Sequence, residues 1–114
     1  MTRIVVMMVR AEPYALIYAP AIKEHLRYIA PKYYSLIREK TEEQLRFEPD
    51  VESRNRKPLE QPAAFEAEWE LRFGPDNCFR VFYQVRPEER EVHIVAVGRK
   101  DRQHLSIGGE EISL

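Results

Sequence analysis

Three short runs between Trp69 and Arg102 restrict what this chain can fold into more than any other stretch. They read Trp69-Glu-Leu-Arg-Phe73, Phe79-Arg-Val-Phe-Tyr-Gln-Val85 and Val92-His-Ile-Val-Ala-Val97, the last continuing through Gly98-Arg-Lys-Asp-Arg102. The breaks between them are Gly74-Pro-Asp-Asn77 and Pro87-Glu-Glu-Arg90. Runs of β-branched and aromatic residues punctuated in this way predict a three-stranded antiparallel meander.

Side chains alternate across a strand. Trp69, Leu71 and Phe73 should therefore share a face with Phe79, Val81, Tyr83 and Val85, and with Val92, Ile94 and Ala96. Pairing Phe73 with Phe79 and Val85 with Val92 keeps these sets together. The same register puts Arg72 opposite Arg80 on the other face and leaves Arg99 diagonal to Arg80. Like charges placed so close need a counter-charge, and Glu70 or an anionic ligand fits that need. The expectation is a helix-free face where Glu70, Arg72, Arg80 and Arg99 converge.

The remaining elements supply the cover for the apolar face. Tyr14-Ala-Leu-Ile-Tyr18 is a further strand candidate. Pro20 suits a first helical turn, and Ile22, Leu26 and Ile29 then form one apolar stripe. Pro31 interrupts it and starts a second helix, Lys32 to about Phe47, with Tyr34, Ile37, Thr41 and Leu45 inward and Pro49 as its stop. The two should form a hairpin on one face of the sheet. Residues 50–67, with Pro58 and Pro62, read as a connecting loop that carries a basic cluster, Arg54, Arg56 and Lys57. A second basic cluster, Arg99, Lys100 and Arg102, precedes His104. The expected class is α+β: a small antiparallel sheet, made of the meander and an N-terminal strand, under a helix hairpin. Residues 1–13 are read as an extension or extra strand, and residues 14–114 as the domain.

At 114 residues the chain suits one domain with one core. The longest apolar run, Ile4–Val9, falls well short of the roughly 20 residues of a membrane span, so no membrane association and a cytoplasmic location are expected. The single cysteine, Cys78, permits no internal disulfide and reads as a half-buried residue at a strand start. His25, beside Leu26, reads as a boundary residue. No Gly-rich phosphate loop and no His/Cys ligand spacing is present, so no metal site and no cofactor are expected. With a net charge of −1, any grip on a polyanion must come from the local basic clusters.

The ordered set Trp69-Glu-Leu-Arg, Phe79-Arg-Val-Phe-Tyr-Gln-Val and Val95-Ala-Val-Gly-Arg-Lys, after a strand, a helix pair and a basic loop, resembles the RelE/ParE superfamily of bacterial type II toxins. Val51-Glu-Ser-Arg-Asn-Arg-Lys-Pro-Leu59 and Ile107-Gly-Gly-Glu-Glu-Ile112 resemble a RelE-like subgroup. The resemblance spans residues 14 to 112. It implies a RelE-like fold and a cognate antitoxin as partner, with an oligomeric antitoxin complex as a further expectation. On the RelE branch it implies a metal-independent, ribosome-dependent mRNA endoribonuclease that inhibits translation, with the ribosome and mRNA as partners. Arg80, Arg72 and Lys100 would then hold the scissile phosphate while Glu70 or His104 moves protons. Arg54, Arg56, Lys57, Arg72, Arg99 and Arg102 would bind RNA. The lysines that RelE carries before the turn are replaced here by Glu68 and Glu70, and Ser106 or Ile107 stands near its C-terminal tyrosine. The alternatives are a ParE-like toxin that poisons DNA gyrase without catalysis, and a degenerate member that only binds its antitoxin.

Overall fold

The computed structural model describes residues 12–113; most of the expected N-terminal extension, residues 1–11, lies outside the described residues. Among the described residues seven strands form one sheet: β1 Ala15–Tyr18, β2 Arg56–Pro58, β3 Trp69–Phe73, β4 Phe79–Arg86, β5 Glu91–Asp101, β6 His104–Ile107 and β7 Glu110–Ile112. Two α-helices, α1 Ile22–Leu26 and α2 Tyr34–Leu45, lie between β1 and β2. The order across the sheet is β2-β3-β4-β5-β6-β7, with β1 paired to β5. The expected α+β class, the meander and the helix pair are all present.

The sheet is larger than the sequence implied. Residues 56–58, within the expected loop, pair antiparallel with β3, and β6 and β7 extend the meander past residue 102. β1 runs parallel to β5, not antiparallel. Both β1 and β6 use the same edge of β5: β1 takes Glu91–Ile94, and β6 takes Gly98–Asp101.

The meander register agrees with the alternation argument at Phe73↔Phe79, Arg72↔Arg80 and Val85↔Val92. It departs at one residue. Phe82 pairs with Ala96 but Tyr83 pairs with Ile94, so Val95 is an extra residue in β5. Such a bulge reverses which face the following side chains address. Val97 therefore joins the helix-side core with Val92 and Ile94, while Ala96 joins the opposite side.

The main core lies between helices and sheet. Ile22, Ile29, Ile37 and Leu45 pack on Leu71, Phe73, Phe79, Val81 and Tyr83. Polar ends inside it are satisfied: the Tyr83 hydroxyl donates to the Pro49 carbonyl at 2.7 Å, and Tyr34 donates to Leu26 at 2.6 Å, tying α2 to the end of α1. Burial pushes the Tyr83 phenol well above its ordinary range. The opposite face is not bare, as expected from the sequence, but carries a second cluster. Ala67, Phe82, Ala96, Leu105 and Ile107 pack there under Leu59 and Ile112.

Candidate functional site

Glu70 sits at the centre of the second face, paired with Phe82 across β3 and β4. Its side chain is 1% exposed, and each carboxylate oxygen has its own cation. Arg72 Nε donates to Oε1 at 2.6 Å, and an Arg80 terminal nitrogen donates to Oε2 at 3.1 Å. Arg80 Nε also donates to the Asn77 carbonyl at 2.9 Å. Two arginines placed opposite each other by register are thus reconciled by a buried carboxylate between them, as the alternation argument required. Arg80 is 9% exposed and Arg72 40%, so the triad is open on the Arg72 side.

From Arg80 a cleft of about 420 Å³ opens at the start of β4 and the end of β5. Arg99, Lys100 and Arg102 line it with Tyr33, Cys78, Asp76 and Asp101. A smaller depression of about 280 Å³ shares Arg80 and Lys100 and continues over Leu105, Glu111 and Ile112. Arg99 does not lie diagonal to Arg80 on one face. The bulge at Val95 pairs it with Phe79 and sets its guanidinium 5.8 Å from that ring, while Gly98 stands opposite Arg80. Arg99 and Arg80 reach the same cleft from opposite sides of the sheet.

The other candidates are dispersed. Arg56 braces the fold: Nε donates to the Val51 carbonyl at 2.8 Å, and one terminal nitrogen donates to the Gln44 carbonyl and side chain at 3.1 and 2.7 Å. Lys57, paired with Glu70 in register, lies 3.8 Å from Glu52. Arg54 is exposed on the preceding loop. Arg102 occupies the β5–β6 turn with φ 59°. His104 is 65% exposed, contacts Glu111 at 2.7 Å and does not line the cleft. That hydrogen bond to Glu111 raises its pKa.

Sequence reasoning missed Tyr33, Asp76 and Asp101 as cleft residues, because nothing in their local pattern ties the start of α2 to the β3–β4 turn. It also missed an apolar groove of about 420 Å³ between the helices and the sheet, walled by Tyr18, Ile22, Leu26, Tyr34, Ile37 and Val97. Among the described residues no group of three His, Cys, Asp or Glu side chains is placed to hold a metal ion. No described helix is long and apolar enough to cross a membrane.

The family described as the ParE toxin of the type II toxin–antitoxin system, parDE, matches residues 16–104. No curated protein matches the sequence significantly. Among solved structures the fold is similar to a chain of the RelBE2 toxin–antitoxin complex from Mycobacterium tuberculosis, with a TM-score of 0.63 at 21% identity, covering 80% of this chain and 95% of that one.

Proposed function

The chain belongs to the ParE toxin family of type II toxin–antitoxin systems, and on that premise we propose that it is a ParE-like toxin that binds DNA gyrase without catalysing a reaction. The observation that carries this reading is the state of Glu70. Cleaving RNA with its own 2′-OH requires one group to take a proton and another to return one, both beside the phosphate-binding cations. Glu70 is buried, and both its oxygens are committed to Arg72 and Arg80. His104 is engaged with Glu111 outside the cleft. Neither residue stands free beside Arg80.

The cleft itself alternates cations with Asp76 and Asp101, a mixture suited to a protein surface that offers both signs of charge. A cytoplasmic target and a cognate antitoxin complete the reading, with the apolar groove as the antitoxin's docking surface. One observation favours the ribonuclease alternative: Arg80, Arg99, Lys100 and Arg102 around a single cleft form a group of donors suited to phosphate.

Two assays with the purified protein test this reading. Inhibition of gyrase supercoiling, with mRNA left intact on programmed ribosomes, is the expected pair of results. Ribosome-dependent mRNA cleavage with unaffected supercoiling would overturn the proposal, and no effect in either assay would assign the chain to antitoxin binding alone. The charge reversals Arg99→Glu and Lys100→Glu should relieve growth arrest when the toxin is expressed alone, read as restored colony formation at equal protein level.

A further inference from the structure

β1 leaves the edge of β5 after Ile94, where the Ala19 amide bonds the Ile94 carbonyl, and β6 joins that edge only at Gly98. Among the described residues no strand lies beside the backbone in between. The imidazole of His25, from α1, fills the space. Its Nδ1 accepts the Val97 amide at 3.3 Å. Phe65, from the loop that folds over the second face, meets the ring edge-on at 5.8 Å between centroids. On a further side lies Gly108, where a Cβ would come within 3.3 Å of the ring. His25 is 7% exposed, so it is not the boundary residue its sequence position suggested.

This arrangement fixes the protonation state. A ring nitrogen that accepts a backbone amide carries no proton, and the imidazolium, with two N–H donors, cannot make the contact. We propose that His25 is a pH-sensitive pin: unprotonated, it bridges the gap in the sheet edge and holds α1 on β5; protonated, it releases Val97 and loosens α1. Val97 lies in the wall of the apolar groove on one side and of a 220 Å³ cavity on the other, so release of the pin opens the groove at its sheet side.

The charged and titratable groups around the ring are Glu24 on α1 and Tyr28 just beyond its end, Arg99 and Asp101 on β5 around the cavity, and Glu66 next to Phe65. Glu24 favours the cation, but burial outweighs it and lowers the His25 pKa. The sign follows: the folded state prefers the neutral ring, so the pin is secure above about pH 6.5 and is lost as pH falls through the depressed folded value.

NMR on the full-length isotopically labelled protein tests the pin. The expected result is a His25 ring protonated at Nε2 at neutral pH that titrates below about 6.5. Val97 amide exchange, corrected for its intrinsic rate, should accelerate by about tenfold for each unit by which the His25 pKa is depressed. In His25→Asn an acceptor that does not titrate takes the place of Nδ1, and the pH dependence at Val97 should disappear. A proton found on Nδ1, a Val97 amide indifferent to the titration, or an unchanged pH response in His25→Asn would each overturn the proposal. Were the variant not to fold, the wild-type titration alone would still decide.

Discussion

A carboxylate as buried as that of Glu70 stays ionised only if cations and hydrogen bonds replace the lost water. Arg72 and Arg80 supply both. Removing the carboxylate leaves the Arg80 guanidinium nearly buried beside an unfilled space. Glu70→Ala should therefore cost roughly 3–5 kcal/mol of folding stability, read as a lowered urea midpoint. Replacing both partners by apolar residues, as in Glu70→Leu with Arg80→Met, removes the uncompensated charge and should recover most of that loss. Recovery of stability without recovery of toxicity in the double variant would separate the architectural part of the triad from its functional part. Arg56 gives the opposite test. Its fork holds the end of α2 and the Val51 loop together through three hydrogen bonds, a geometry that lysine cannot copy. Arg56→Lys should lose roughly 1–3 kcal/mol in the same urea titration while each folded molecule remains as toxic as before.

Between β5 and β6 the backbones approach so closely that side chains are excluded at Gly98. A Cβ there would lie 2.6 Å from the Ser106 carbonyl oxygen and 2.7 Å from Ile107 Cγ1. Gly98→Ala must push β6 away, at roughly 1–3 kcal/mol. Faster amide exchange confined to residues 104–107 and 110–112 is the expected signature. β5 also marks where sequence reasoning stopped. Trp69 to Val85 has polar residues between its apolar ones, so its faces, its register and the Arg72–Glu70–Arg80 meeting were legible. The run Ile94-Val-Ala-Val97 has no polar residue to tell one face from the other. A single inserted residue there leaves the hydrophobic pattern unchanged, and it moved Arg99 to the Phe79 side. β2, β6 and β7 were hidden for a different reason. With three or four residues each, they form because a neighbouring strand edge is available, not because their own sequences demand it.

Across the whole molecule His25 and His104 oppose each other in their response to pH. For His104 the folded pKa is raised by the Glu111 hydrogen bond. Its stabilisation is thus fully present below about pH 6.5 and lost as pH rises through the folded value. His25 acts in the reverse direction. His104→Ala should lower Tm more at about pH 5.5 than at about pH 8, while His25→Asn should flatten the decline of Tm toward acid; paired thermal melts at both values check each sign. The class of fold and the place of its charged face were readable because they depend on local period and turn chemistry. The cleft was not, because it is assembled from the start of α2, the β3–β4 turn and the end of β5, segments that meet only in three dimensions. The shared edge of β5 also imposes an order of assembly during synthesis. β1, made first, has its place beside β5 as soon as Ile94 emerges. Arg99 and Lys100 are backed by β4 on one edge and gain a strand on the other only when residues 104–107 fold back on them. The outer edge of the basic wall is therefore the last to be completed, when β6 and β7 close over it.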